Sequence, residues 1–255
     1  MSTTSIAKAL TVLQGIGNRD QDLAIKYMHP TKFTQHNPLV SDGIDGVKEW
    51  IRRLPREKSP LKTVRAFQDG SYVIANTEGD ILGQNVFFDI FRLEDDLIVE
   101  QWTFSTKAAP PNESGHTQTD GPTEPKHEQA TEKSKSIIRD YYETVHVSGD
   151  HGKIPQFSAD HCIRHEPGVS DGLAVFLRDL KAATEHGKAS RSIDEIKLLL
   201  GQGDFVFVAA KGTVKGTPCA YIDLYRIEGD KMAEHWGFHE EIPPPEQRRN
   251  TNGVL

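Results

Sequence analysis

Apolar positions recur first with helical and then with strand spacing, and they do so twice along the chain. Near the start, Ile6, Ala9, Leu10, Leu13 and Ile16 fall on one face of a helix. Leu23 to Tyr27 predicts a second, short helix ending before Pro30, and Val47 to Leu54 a third stopped by Pro55. Beyond it the period changes. Lys62 to Phe67, Tyr72 to Thr77, Asn85 to Leu93 and Ile98 to Phe104 read as strands, with hairpin turns at Gln68-Asp69-Gly70-Ser71 and Glu94-Asp95-Asp96. The plan then returns. Ile137 to Val147, Ile154 to Phe157 and Leu173 to Ala183 are helical. Ile193 to Leu200, Phe205 to Val214, Ala220 to Ile227 and Met232 to Phe238 are strand-like. Helices followed by a meander of antiparallel strands, with one short early strand, predict an α+β domain.

The recurrence extends to individual residues. Asp89-Ile-Phe-Arg-Leu-Glu-Asp-Asp-Leu-Ile-Val-Glu-Gln-Trp102 aligns with Asp223-Leu-Tyr-Arg-Ile-Glu-Gly-Asp-Lys-Met-Ala-Glu-His-Trp236, with six of 14 positions identical. Gln35-His36-Asn37-Pro38 pairs with Arg164-His165-Glu166-Pro167, Asp42-Gly43 with Asp171-Gly172, and Gly83 with Gly216. The repeat is too long for a solenoid unit and implies a whole domain duplicated. Between the copies, Thr106 to Ala130 holds four prolines and no Leu, Ile, Val or Phe, so it reads as a linker or surface arm. The expected organisation is domain 1 over 1–107, a linker over 108–130 and domain 2 over 131–255. The near-continuous apolar runs Val73 to Ala75 and Phe205 to Ala210 fit strands covered on both faces.

These residues resemble the SnoaL-like branch of the NTF2-like superfamily over nearly the whole chain. The carriers are Tyr27-Met-His-Pro, Phe33-Thr-Gln-His-Asn-Pro38, the following Asp-Gly, the strand from Asp89, and Ile98-Val-Glu-Gln-Trp102. Ser114-Gly-His-Thr-Gln-Thr-Asp-Gly-Pro122 and Asn250-Thr-Asn-Gly253 also look like that branch. The resemblance implies two tandem cone-shaped domains, helices packed in a curved antiparallel sheet, forming an intramolecular pseudo-dimer; further homo-oligomerisation is left open. It implies acid–base chemistry such as aldol cyclisation or isomerisation of a small hydrophobic carbonyl substrate, with no cofactor and no metal. It also implies a carboxylate just after the final Trp. Here Thr103 and Gly237 stand there instead.

Composition narrows the alternatives. The chain has 255 residues, 36% hydrophobic and 26% charged, with net charge −7. That suits a globular protein, and no basic cluster suggests a nucleic-acid partner. No apolar run approaches a membrane span. The start lacks a long apolar segment, and the two cysteines, Cys162 and Cys219, suggest reduced core thiols, so a cytoplasmic location is expected. Nucleotide-binding glycine loops and the hydrolase nucleophile elbow are absent.

The candidate chemistry is a set of ionisable groups on the strands. Alternation puts Asp89 on one face with Phe87 and Phe91, and Asp223 with Tyr221 and Tyr225. A carboxylate among aromatics has a raised pKa and suits proton transfer; each could equally pair with Arg as structural glue. His36 and His165, near the early strand's end, are candidates for one imidazole at each cone mouth, or for structural histidines bonded to a carbonyl. His235 and His239 belong to copy 2 alone, where copy 1 has Gln101 and Ser105. With Gly237 between them, both could face one cavity. Asp223, His165, His235, His239, Asp89 and His36 are therefore the catalytic candidates. Tyr221, Tyr225, Phe87, Phe91 and Gln101 are the substrate-binding ones. A non-catalytic binding module and a hydrolase or dehydratase using an activated water remain open beside the cyclase or isomerase. If one cavity is active, copy 2 is the choice.

Overall fold

The computed structural model describes residues 3–185 and 191–255. It divides into two compact units, Met1–Ala108 with Pro243–Leu255, and Ala109–Ile242. Unit 1 begins with α1 (Ser5–Asn18), α2 (Gln21–Ile25), β1 (Thr34–Gln35) and α3 (Gly43–Arg53). It continues with the strands β2 (Lys62–Asp69), β3 (Tyr72–Asp80), β4 (Gln84–Glu94) and β5 (Leu97–Lys107). Unit 2 has α4 (Thr131–Tyr141), which runs on into a π-helical turn over Tyr142–Val147, then α5 (Ile154–Phe157), β6 (Ser158–Arg164) and α6 (Leu173–Glu185). Its remaining strands are β7 (Arg191–Gln202), β8 (Phe205–Val214), β9 (Thr217–Glu228) and β10 (Lys231–Glu241).

The two sheets have the same strand order, β1-β5-β4-β3-β2 and β6-β10-β9-β8-β7. Four strands of each form the expected antiparallel meander. The early strand differs from expectation: β1 pairs with β5 and β6 with β10 in parallel, so each sheet is mixed. The reason is connectivity. A helical segment separates the early strand from the meander, and such a crossover permits parallel pairing that a hairpin could not. The turns follow the glycine signals: Gly70, Gly83, Gly203 and Gly216 all have positive φ. Asp95 and Asp96 carry the left-handed pair of the β4–β5 hairpin.

Each helix layer buries its apolar stripe on one sheet face. In unit 1, Ala9, Val12, Leu13, Val47 and Ile51 pack with Val73, Ala75 and Phe91. In unit 2, Ile138, Tyr141, Tyr142 and Val145 pack with Val206, Val208, Tyr221 and Tyr225. Burying each large side chain contributes roughly 1.5–3 kcal/mol. On β8 the reverse-face residues Phe205, Phe207 and Ala209 are also buried, which is why Phe205 to Ala210 reads as a continuous apolar run.

The expected linker and the terminal tail behave otherwise than expected. The segment following β5 belongs to unit 2, and the segment following β10 belongs to unit 1. Each is tied down by an asparagine. Asn112 Nδ2 donates to the Arg164 carbonyl at 2.7 Å, and Asn250 Nδ2 to the Asn37 and Val40 carbonyls at 2.7 and 2.9 Å. In each case the asparagine Oδ1 accepts from the N–H two residues on. Backbone donors and acceptors satisfied by side chains fix these segments without an apolar core. Among the described residues no helix is long and apolar enough to cross a membrane.

Candidate functional site

Asp223 lies in the middle of β9 on the helix-facing side, directly across from Gly237 on β10. It is 9% exposed. Its Oδ2 accepts from the Tyr142 hydroxyl at 2.7 Å, and its Oδ1 meets His235 Nε2 at 2.7 Å. The other nitrogen of His235, Nδ1, meets Glu166 Oε1 at 2.7 Å. Arg164 closes the chain, with Nη2 at 2.5 Å from Glu166 Oε1 and Nε at 3.2 Å from Glu166 Oε2.

Gly237 makes this arrangement fit. A Cβ there would meet Asp223 Oδ1 at 2.4 Å and the His235 ring at 2.9 Å. The position where the resemblance implied a carboxylate is instead the gap across which His235 reaches Asp223. Tyr142 reaches the same carboxylate from the first residue of the π-helical turn after α4. Tyr225, across from His235 in register, stacks on its imidazole at 4.5 Å and 14°.

Both His235 nitrogens face carboxylate oxygens, an arrangement that favours the imidazolium, in which both carry hydrogen. Burial works against that charge, but Glu166 and Asp223 outweigh it and raise the His235 pKa. Burial alone would raise Glu166, yet His235 and Arg164 hold it far below the ordinary carboxylate range. Two carboxylates and two cations balance, which is what makes their burial tolerable. Burial also raises the Tyr142 and Tyr225 phenols, so both remain donors. His146, edge-on to Tyr141 at 5.0 Å, is pushed down by burial to about 4 and stays neutral.

A cavity of about 30 Å³ opens beside this network, lined in part by Tyr141, Cys162, Arg164, Phe176, Tyr225 and His235. That volume holds roughly two water molecules. Tyr141, Phe176 and Tyr225 supply the aromatic part of the cavity wall.

Unit 1 carries a simpler version. Asp89, 2% exposed, faces Thr103 in register and accepts from its hydroxyl at 2.6 Å. Gln101 stands where unit 2 has His235, and its Nε2 donates to Thr103 Oγ1 at 3.3 Å. Burial pushes the Asp89 carboxyl up to about 7, against partial relief from Thr103 and Gln101. Phe91 and Phe87 pack into apolar clusters rather than around an opening.

The histidines of the early strands do not join either aspartate. His36 stacks on Trp102 at 4.3 Å and 6°, and His165 on Trp236 at 4.5 Å and 8°. Strand alternation puts Trp236 and Glu234 on the face opposite His235, so His165 is not a partner of Asp223. His36 Nδ1 lies 3.0 Å from the Gly253 carbonyl, and His165 Nδ1 lies 2.9 Å from the Thr117 carbonyl. Both serve to receive the docked segments. His239 leans on the Tyr221 ring at 6.0 Å, at the far end of the strand from Glu166. The Tyr221 hydroxyl is taken by the Thr213 carbonyl at 2.8 Å. Of the candidates, then, Asp223, His235 and Tyr225 are brought together, while His165, His239 and Tyr221 are not. Asp89, His36, Phe87, Phe91 and Gln101 belong to the other unit.

Tyr142, Tyr141 and His146 were not legible as site residues, because their helical spacing marks them only as core. Arg164 and Glu166, next to His165, carried a signal in their charge beside the early strand.

The topology, helices followed by a meander whose last strand holds the early strand in parallel, is the NTF2-like one. It occurs twice. The sequence matches no family model and no curated protein. Solved structures similar to it include an NTF2-like protein of unknown function from Cytophaga hutchinsonii, 14% identical, covering 42% of this chain and 93% of that one, TM-score 0.37. Another is described as a candidate ketosteroid isomerase from Kribbella flavida, 18% identical, covering 46% and 87%, TM-score 0.38. A third is IdmH from Streptomyces antibioticus, described as a candidate polyketide cyclase, 17% identical, covering 42% and 91%, TM-score 0.34.

Proposed function

We propose that unit 2 is a cofactor-independent acid–base site of the SnoaL-like kind, acting on a small apolar carbonyl compound by aldol closure or isomerisation. The observation that carries this reading is the Tyr142–Asp223–His235–Glu166–Arg164 chain with His235 and Arg164 lining a cavity. Enolisation needs a proton delivered to the carbonyl oxygen and one removed from the adjacent carbon. His235, an imidazolium between two carboxylates, is the donor. Arg164 and the Tyr225 hydroxyl polarise the oxygen. Asp223, which does not line the cavity, holds His235 in place; once the imidazolium has given up its proton to the oxygen, the freed imidazole nitrogen takes the carbon-bound proton. Unit 1, with no titratable partner bonded to Asp89 among the described residues, acts as scaffold.

A second reading is a hydrolase or dehydratase that uses a water in the cavity. The cavity's size favours it, since about 30 Å³ accepts water without rearrangement, whereas a cyclic ketone requires side chains such as Phe176 to move. In both readings the substrate is a small molecule, and no nucleic acid is involved.

The test is hydrogen exchange at the carbon next to a carbonyl. A panel of small cyclic ketones in D₂O is followed by proton NMR with the full chain and with His235→Gln. Exchange faster than buffer, falling at least about 100-fold in the variant, supports enolisation. Exchange unchanged by the substitution removes His235 from the role. Incorporation of ¹⁸O from labelled water without deuterium exchange favours the second reading.

A further inference from the structure

On the opposite face of the same sheet, a second group of ionisable side chains converges where the segment following β5 crosses unit 2. His116 Nδ1 lies 3.2 Å from Asp120 Oδ2, and His165 Nδ1 lies 2.7 Å from Asp120 Oδ1. The donor atoms of these three residues all lie within 4.8 Å of one another. None of them takes part in the acid–base network described above.

We propose that His116, His165 and Asp120 form a binding site for a divalent transition ion of the zinc type. Four observations support it. First, the donor set suits such an ion: two imidazoles and a carboxylate. Second, each histidine already has the outer partner that a metal-bound histidine needs. His116 Nε2 is 3.1 Å from Asp171 Oδ2, and His165 Nε2 is 2.9 Å from Glu234 Oε1. A carboxylate on the far nitrogen fixes the tautomer, turns the near nitrogen inward and makes it more basic. Those carboxylates are themselves held: Glu234 by Arg226 Nε at 2.7 Å, Asp171 by the Arg164 N–H at 2.8 Å.

Third, the Thr117 carbonyl lies 2.9 Å from His165 Nδ1, so an oxygen for a fourth position is at hand. Fourth, the site has a way in. The His165 side chain is 1% exposed, but His116 and Asp120 are 29% and 40% exposed. Tetrahedral bonds of about 2.1 Å require donor spacings of roughly 3.4 Å. The contraction needed is about an ångström, within reach of the two partly exposed side chains.

Unit 1 provides the contrast. Its docked segment is held by Asn250, by Asn252 Nδ2 donating to the Gln35 carbonyl at 2.9 Å, by the Arg249 N–H donating to the Pro38 carbonyl and by the His36–Gly253 contact, with Val254 where unit 2 has His116. Docking therefore does not need the extra histidine. Asp42 and Glu100 of unit 1 match Asp171 and Glu234, so His116 is the added donor of unit 2, and an ion would account for it. Bound there, the ion would clamp the segment after β5 to the sheet.

The experiment is titration of the chelator-treated full chain with Zn²⁺ by calorimetry, and with Co²⁺ by visible absorption. One ion per chain, with the absorption of a four-coordinate Co²⁺ site and a raised melting temperature, is expected. His116→Ala and Asp120→Asn should each weaken Zn²⁺ binding at least about 10-fold, and Asp171→Asn about 10- to 100-fold. His151→Ala, an exposed histidine elsewhere in unit 2, should leave it unchanged. Failure to bind Zn²⁺ tighter than about 100 μM, or binding that His116→Ala and Asp120→Asn leave intact, would overturn the proposal. Circular dichroism of each variant separates lost binding from lost folding.

Discussion

Asp89 and Asp223 stand at matching places in the two sheets, each across from the residue that follows the tryptophan, Thr103 in one unit and Gly237 in the other. Threonine supplies a hydroxyl that reaches Asp89 and fills the space. Glycine supplies nothing, and the His235 imidazole occupies the gap as a cation. The same buried carboxylate thus becomes a solitary acid, pushed up to about 7, in unit 1. In unit 2 it becomes one member of a balanced ionic chain. Two exchanges, Thr103 for Gly237 and Gln101 for His235, separate the buried acid of unit 1 from the ionic chain of unit 2.

The sharpest way to break this contrast is to write unit 1's residue into unit 2. Gly237→Thr puts a Cβ into the Asp223–His235 contact. Separating a buried ion pair costs about 3–5 kcal/mol. Urea denaturation should show a loss of that size, and an unchanged midpoint would mean the glycine is not what admits His235.

Next in size is the pH dependence set by Asp89. Its folded pKa, about 7, lies above its ordinary 3.8, so the folded state binds more protons in that window. The stability held below about pH 4 is therefore lost as pH rises toward about 7, by an amount on the order of 4 kcal/mol. Asp89→Asn keeps an acceptor for Thr103 without the charge. It should match the parent near pH 4 and exceed it at pH 8. Equal stability at both pH values would mean that Asp89 is not a buried, isolated acid.

A smaller effect is expected from Tyr142→Phe, which strips one donor from Asp223 and costs about 1–3 kcal/mol. Thr103→Val should cost a similar amount in unit 1 and raise Asp89 further, since the Thr103 bond lowers its pKa. The smallest effect is on the docked segments. Asn250→Ala removes bonds to the Asn37 and Val40 carbonyls and should cost about 1 kcal/mol, read as faster proteolysis of the tail with little change in the melting temperature.

Much of the fold was legible because two periods, 3.6 and 2, alternate in the chain and glycines mark the turns. The duplication was legible because charged residues of the β4–β5 hairpin recur at β9–β10. Asp223, His235 and Tyr225 were legible together from strand alternation, since all three lie on one face of neighbouring strands. Tyr142 was not, because its contact with Asp223 is made between a helix and a strand 81 residues away. His165 misled for a related reason: its backbone leaves the early strand, and its side chain turns to the reverse face to stack on Trp236. The reciprocal docking of the segments after β5 and β10 was hidden too. Their composition reads as linker, and the asparagine and histidine bonds that hold them involve partners far along the chain.

The most direct test is nitrogen-15 NMR of the histidine side chains across pH 5 to 9. His235 should show both ring nitrogens protonated at pH 7 and titrate above the ordinary 6.5, and Glu166→Gln should bring that transition down. A His235 ring that is neutral at pH 7, or whose titration ignores Glu166→Gln, would contradict the buried charge relay.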